Sequence, residues 1–345
     1  MPEFFTGIGQ LLNGSFLQSG ALWTLTNVPG FPPIIQTVHI LGIAVVMATI
    51  AFQSLRILGL AVPSQNLPEI TKRVMPIFWI ALVIMIFSGS FFVFGRPNRY
   101  FNNPVFAVKM FCLGPLLIMM AFYQIMSKTQ ENYWLLNAKR ILIGRTIAII
   151  SILLILAICT AGRWIAYLEY IEFPLWYLEP YHDGTEQPFW EWIQNWSLSQ
   201  IIASTNWFPT IETVHVIAAS LMVGAIFWVD LRLIGIGATK YSVSTLNKEL
   251  IPWAWSAFAI AVITGVGMFI TRASGHVLNP AFQSKMVLLI LAGINMAYFH
   301  FKLFRNIDQF NNSNNPPTSV KVTGALSLFL WASVMLAGRW VGHII

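Results

Sequence analysis

Long apolar runs, separated by short polar or proline-bearing segments, dominate this chain. Eight of them are long enough to cross roughly 30 Å of hydrocarbon as helices. Their approximate ranges are 34–61, 74–95, 104–126, 142–167, 210–236, 251–271, 282–304 and 320–343. Because backbone groups in lipid must be hydrogen-bonded within the segment, these runs are predicted to be transmembrane helices. The pattern therefore predicts an all-α polytopic membrane protein with eight spans.

The second half of the chain repeats the first half at a constant offset of 176 residues. The matched positions include residues that are unusual inside a membrane. Among them are the pairs His39 and His215, Gly89 and Gly265, Lys109 and Lys285, and Arg163 and Arg339. A four-span repeat and its copy enter the membrane from the same side. We therefore predict two parallel four-helix repeats related by a pseudo-twofold axis along the membrane normal.

Two amphipathic, aromatic-bearing stretches precede the repeats, at Pro2–Leu17 and Pro188–Ile202. They lack a long unbroken apolar run, so we predict that they are helices lying in the membrane interface. The predicted organisation is an interfacial N-terminal segment at 1–33, repeat one at 34–167, a periplasmic connector with an interfacial helix at 168–209, and repeat two at 210–345. The connector is rich in acids, and we interpret it as an extramembrane cap. These acids are Glu169, Glu172, Glu179, Asp183, Glu186 and Glu191.

Composition narrows the function classes. The 345 residues are 57% hydrophobic and only 10% charged, against about 25% charged in soluble domains. This excludes a soluble globular enzyme, a disordered chain and a nucleic-acid binder. The net charge of +7 indicates topology instead, because 13 of the 20 basic residues lie beside the loops that follow odd-numbered spans. The positive-inside rule then predicts a bacterial inner-membrane protein with both termini in the periplasm.

A layer of polar side chains lies inside the predicted spans, roughly 5–12 Å below the outer interface at 1.5 Å per helical residue. Ionisable groups at such depth are costly and usually functional. The layer consists of His39, His215, Lys109, Lys285, Arg163 and Arg339, with Glu212 one turn above His215 and Gln36 at the matching position. A simpler interpretation stays open: the cations snorkel to headgroups, and the histidines form hydrogen bonds between helices.

Two imidazoles with a ring of cations fit a b-type heme (heme b). Axial histidines come from facing helices of a bundle, and the anionic propionates pair with Arg or Lys. Two arrangements satisfy this pattern. His39 and His215 share one heme on the pseudo-axis, or each binds a separate heme with another partner.

The repeats differ at three histidines. Repeat two has His276, His300 and His343 where repeat one has Tyr100, Gln124 and Tyr167, so repeat two is a candidate for an additional site. We consider all three as metal ligands. For His276 and His343 the alternative is a solvent-exposed or interfacial position. For His300, near the opposite membrane face, the alternatives are snorkelling or packing, or a role in a proton relay.

The chain resembles a family of small bacterial four-helix membrane proteins. The resemblance rests on segments of repeat two that match the family signature throughout: Phe208–His215 (FPTIETVH), Asp230–Gly235 (DLRLIG), Asn279–Lys285 (NPAFQSK), Phe299-His300 and Ala337–Arg339 (AGR). Repeat one departs from it at Gln36, Ser54 and Gln124. The resemblance implies a tandem fusion and an architecture rather than an activity. In layout it is similar to cytochrome b561-type and copper-resistance membrane proteins, an analogy at the level of fold.

Three function classes remain. The leading hypothesis is a membrane cytochrome, an electron-transfer subunit that passes electrons between the quinone pool and a periplasmic redox protein. In it, the lysines and arginines neutralise propionates or a quinone headgroup. The second is a transporter of copper or of an anion. The third is a structural subunit of a larger membrane complex, docked through the acidic connector.

Overall fold

The computed structural model describes residues 3–130, 132–167 and 187–344, and in these ranges the chain is built from helices. Repeat one and the segment before it contain α1 (Glu3–Leu12), α2 (Phe16–Asn27), α3 (Phe31–Leu58), α4 (Leu67–Gly95), α5 (Pro97–Phe101), α6 (Pro104–Thr129) and α7 (Ala138–Trp164). The second half contains α8 (Pro188–Gln194), α9 (Ser197–Ser204), α10 (Trp207–Ile234), α11 (Val243–Ile270), α12 (Ala273–Leu278), α13 (Pro280–Tyr298) and α14 (Thr318–Trp340).

Eight of these helices are long and apolar enough to cross a membrane, namely α3, α4, α6, α7, α10, α11, α13 and α14. They confirm the eight predicted spans, and the protein is an all-α polytopic membrane protein built as two four-helix repeats. The helices of the two amphipathic stretches are short, and α1 packs on α5 while α9 packs on α10. Residues 168–186, which include His182 and most of the connector acids, lie outside the described ranges. Glu191 is exposed on α8.

The two ends of the bundle are distinct and are named here for use below. At the connector end, α3 and α10 begin and α7 and α14 end. At the loop end, α3 and α10 end in left-handed glycines, Gly59 (φ 77°) and Gly235 (φ 90°). A left-handed C-cap is strained for residues with a Cβ and natural for glycine.

The repeats pack against each other through their first helices, α3 and α10. A Cβ added to Gly224 would lie 2.3 Å from the Cβ of Ala48 and 2.5 Å from the carbonyl oxygen of Ala44. No real Cβ tolerates such distances, so the close approach requires a glycine at this position. Ala48 is the repeat-one equivalent of Gly224, which places this contact on the pseudo-twofold axis.

Equivalent residues of the two repeats form equivalent hydrogen bonds. The Nε of Arg56 donates to the carbonyl oxygen of Gln65 at 2.6 Å, and the Nε of Arg232 donates to that of Tyr241 at 2.7 Å. Each pair ties the end of a repeat's first helix to the loop that follows it. These arginines of the signature therefore stabilise the loop end of the fold.

The Asn-Pro motif has the same role in both repeats. The side-chain oxygens of Asn103 and Asn279 cap α6 and α13 by accepting hydrogen bonds from the backbone N–H groups two and three residues on. Their side-chain amides donate to carbonyl oxygens just after the fourth helix of the same repeat, at Ile165 and Val341. The motif thus fixes the third helix of each repeat to the fourth at the connector end.

Candidate functional site

His39 of α3 is anchored to α4. Its Nδ1 lies 3.1 Å from the carbonyl oxygen of Met85 and 3.0 Å from the Oγ of Ser88. Because a carbonyl oxygen only accepts, Nδ1 carries the proton in this arrangement, and Nε2 keeps its lone pair. The imidazole is therefore oriented, with one nitrogen left to accept a proton or bind a metal.

His215 of α10 repeats this arrangement on α11. Its Nδ1 lies 2.8 Å from the carbonyl oxygen of Ala261 and 3.1 Å from the Oγ1 of Thr264. Ala261 and Thr264 are the equivalents of Met85 and Ser88, so the anchor is preserved although the hydroxyl group belongs to Ser in repeat one and to Thr in repeat two. Each histidine is held within its own repeat.

A glycine lies beneath each of these rings. A Cβ added to Gly89 or to Gly265 would lie 3.2 Å from the Cε1 of His39 or of His215, respectively. That distance is tighter than ordinary contacts, so the two glycines let each imidazole lie close to the neighbouring helix.

Each repeat also places a lysine near its anchored histidine. The ammonium of Lys109 acts electrostatically on His39, and that of Lys285 acts on His215. The lysine side chains pass over glycines of the fourth helices. A Cβ added to Gly162, for example, would lie 3.6 Å from the Nζ of Lys109. Neither ammonium forms a hydrogen bond or ion pair with any residue of the described ranges. An unpaired charge in a membrane span is costly, so the two lysines indicate an anionic ligand.

The arginines of this layer are engaged between the repeats. Arg163 of α7 forms an ion pair with Glu212 of α10, and the hydroxyl of Tyr167 donates to the other carboxylate oxygen. At the pseudo-symmetric position, the Nε of Arg339 on α14 donates to the Oε1 of Gln36 on α3. The Nε2 of the buried His343 lies 3.2 Å from the same oxygen. His343 therefore holds the interface between repeats, and both arginines join the fourth helix of one repeat to the first helix of the other.

His276 lies on α12, outside the spans, and its ring packs beside the rings of Phe269 and Phe282, whose centroids lie 6.1 and 5.6 Å from its own. Burial, followed by the positive charges of Arg272 and Lys285, lowers the pKa of His276 to about 4. The imidazole is consequently neutral at physiological pH.

His300 lies in the other half of the bundle, on a π-helical turn at Phe299–Leu303 that follows α13. Its Nδ1 lies 3.0 Å from the carbonyl oxygen of Met296, so its Nε2 is also a free acceptor. The ring lines a cavity of about 190 Å³ in repeat two, together with Asp230 and Asn247. Sequence reasoning did not place these last two residues among the candidate site residues, although Asp230 belongs to the family signature. The available signal was an aspartate inside a span, at a position where repeat one has Ser54.

The predicted ligands thus separate into distinct places. His39 and His215 occupy equivalent sites in different repeats, His343 is at the interface between repeats, His276 is on α12, and His300 is near the loop end. Over the residues that the structure describes, no group of three or more His, Cys, Asp or Glu side chains is arranged to hold a metal ion.

The two copies of the site geometry correspond to two separate matches of one protein-family model. A family model described as a family of unknown function, DUF6644, matches residues 27–168 and again 189–344. The chain belongs to the DUF6644 family. Each match covers one four-helix repeat, so this DUF6644 protein contains two copies of the family's domain in tandem. A comparison with curated proteins finds no match.

Proposed function

We propose that this DUF6644 protein is a b-type cytochrome of the bacterial inner membrane, with both termini in the periplasm. It passes electrons between the quinone pool and a periplasmic redox partner. The observation that carries the proposal is the anchoring of His39 and His215. A backbone carbonyl fixes Nδ1–H and leaves Nε2 free, which is the usual arrangement around a metal-ligating imidazole.

The residues present fit a heme in two further respects. A glycine next to each imidazole leaves the ring close to the neighbouring helix, and an unpaired ammonium near each imidazole suits a propionate. The propionate role falls to Lys109 and Lys285, because Arg163 and Arg339 already bind Glu212 and Gln36. When bound, the heme supplies a one-electron redox centre, and the chain orients the ligand and pairs its negative charges.

The geometry favours separate sites over one shared site. Each histidine is bonded to the second helix of its own repeat, and each has its own lysine. His39 is the only histidine of repeat one, so a heme there has a single imidazole ligand from that repeat. We propose one heme-binding histidine per repeat.

The test is a visible spectrum of the protein purified in mild detergent, oxidised and dithionite-reduced, with a pyridine hemochrome assay. We expect a sharp reduced α-band and up to two hemes per chain. His39→Ala and His215→Ala should each remove one heme, and the double variant should remove both. The matched control is His300→Gln, which also removes an imidazole but should leave the heme content unchanged. A colourless protein, after expression with adequate heme supply, would overturn the proposal.

A further inference from the structure

A cavity beside His300 has no part in the proposed heme sites at His39 and His215. It lies within repeat two, between α10, α11, α13 and α14, and has a volume of about 190 Å³. A dry cavity of about 150 Å³ already holds a benzene ring. The cavity is therefore large enough for the single ring of a small molecule.

Two of its polar side chains have a buried acceptor oxygen without a hydrogen-bond donor. Asp230 is only 4% exposed, and its Oδ2 has no hydrogen-bond partner among the described residues. The Oδ1 of Asn247 is buried and similarly unpartnered, and His300 offers its Nε2. Leaving buried polar atoms unpaired costs free energy. The site thus fits a ligand that donates hydrogen bonds.

The cavity opens sideways, toward lipid. The helices α11 and α13 pack mainly on α10 and α14 respectively, and two lining residues between them, Trp255 and Gly293, are exposed. A Cβ added to Gly293 would meet no atom within 4 Å, which shows the open space there. A ligand from the bilayer would therefore reach Asp230 and His300 without crossing water.

Repeat one has closed the same space. Where repeat two has Ala254, repeat one has Phe78, and the equivalent of Phe299 is Tyr123; both repeat-one side chains are fully buried. Gln124, the equivalent of His300, accepts a hydrogen bond from the Nε1 of Trp79 at 2.7 Å. The polar group of repeat one is thus satisfied within the protein, whereas the Oδ2 of Asp230 and the Oδ1 of Asn247 in repeat two have no partner among the described residues.

We propose that the cavity of repeat two binds the ring of a lipid-soluble quinol, with Asp230 and His300 accepting its hydroxyl hydrogens. The π-helical turn supports this assignment, since such turns are frequent at functional sites. The proposal concerns binding, and it rests on the proposed function for its place in electron transfer. It places the exchange of electrons with the quinone pool in repeat two alone.

The experiment measures equilibrium binding of a radiolabelled decyl-substituted benzoquinol, kept reduced under argon, to the protein in nanodiscs. We expect one site per chain, and weaker binding of the matching quinone, which has no hydroxyl to donate. Gly293→Leu introduces the repeat-one residue, Leu117, and should weaken quinol binding at least tenfold. Gly114→Leu is the control, because Gly114 is an exposed glycine on α6 with open space around it.

Asp230→Ser combined with His300→Gln replaces both acceptors by the repeat-one residues and should also weaken quinol binding at least tenfold. Unchanged affinity in this variant and in Gly293→Leu would overturn the assignment. Tighter binding of phenethylammonium than of the quinol would overturn the ligand class, since a cation would then be the preferred donor. Heme content is measured in the same samples. Quinol binding that persists in the His39→Ala, His215→Ala double variant supports this site whether or not the wild type contains heme.

Discussion

Arg163 and Glu212 form an ion pair that joins the last helix of repeat one to the first helix of repeat two. The pseudo-symmetric contact joins Arg339 to the neutral Gln36. The duplication has thus kept both arginines and both contacts while changing the charge of one partner. One consequence is that the two links between repeats differ in their sensitivity to substitution.

Glu212→Ala is expected to destabilise the protein by about 2–3 kcal/mol. Removing one partner of a buried ion pair costs about 3–5 kcal/mol, and the residual exposures of 25% and 18% for Arg163 and Glu212 reduce this. Glu212→Gln recreates the contact of the other repeat and should cost about 1 kcal/mol. The measurement is the free energy of unfolding in detergent. Glu191→Ala, at an exposed acid of α8, is the control, and equal losses in both alanine variants would contradict the prediction.

Gly89→Val and Gly265→Val test the anchored imidazoles without removing them. Since a Cβ added at either glycine would lie only 3.2 Å from the ring, a branched side chain should displace His39 or His215 from its carbonyl acceptor. We expect each variant to lose about one heme of two while remaining folded. The readout is the pyridine hemochrome stoichiometry. Gly114→Val adds the same side chain where there is open space, and a similar loss there would show a general packing effect.

Lys109→Met and Lys285→Met test whether these lysines pair with a bound ligand or only support the fold. An ammonium without a partner in a span destabilises the protein, so its removal should raise the stability of the heme-free protein by about 1 kcal/mol. The same variants should lose heme on dilution at least several-fold faster, because a propionate partner is gone. Lys128→Met, at an exposed position on α6, should change neither quantity. A lysine that only supports the fold would instead give a lower stability.

The fold was predictable because its signals are local or periodic along the chain. Hydropathy alone locates the eight spans, and the offset of 176 residues relates His39 to His215 without any knowledge of packing. The Asn-Pro starts of α6 and α13 are likewise read directly from the sequence, since an asparagine cap followed by proline is a local preference.

The site was less predictable because it depends on which helix faces which. The sequence indicates that Arg163 and Glu212 lie at similar depth, but not that they meet across the repeat interface. The acceptor of His39 is a backbone carbonyl, that of Met85, and a backbone carbonyl has no side-chain signature. The cavity of repeat two requires the small residues Ala254 and Gly293 to be on facing helices, which only the packing reveals.

His276 should make the free energy of unfolding decrease as the pH falls below 6.5. Burial first, and then nearby positive charge, lowers its folded-state pKa to about 4 from the ordinary 6.5. The unfolded chain therefore binds the proton more readily, and the contribution of His276, complete above pH 6.5, is lost as pH falls toward 4. The total is at most about 3 kcal/mol. His276→Tyr, which introduces the repeat-one residue, should flatten the decline of the unfolding free energy between pH 6.5 and 4; an unchanged slope would contradict this.

Variants at the crossing of α3 and α10 test whether the pseudo-twofold axis relates the packing of the two helices. Gly224→Ala should cost about 2 kcal/mol, because its Cβ would collide with Ala48 and with the carbonyl oxygen of Ala44 and overpacked cores lose about 1–3 kcal/mol. Ala48 and Gly224 are equivalent positions on the axis, so the crossing has room for one Cβ and not two. The double variant Ala48→Gly, Gly224→Ala moves that single methyl group to the other helix. It removes the contact with the Cβ of Ala48 but keeps the contact with the carbonyl oxygen of Ala44, so it should recover part of the loss. Ala48→Gly alone only leaves a gap and should cost about 1 kcal/mol. If the double variant were as unstable as the sum of the two single ones, the two helices would not exchange roles, and the axis would relate the backbones without relating their packing.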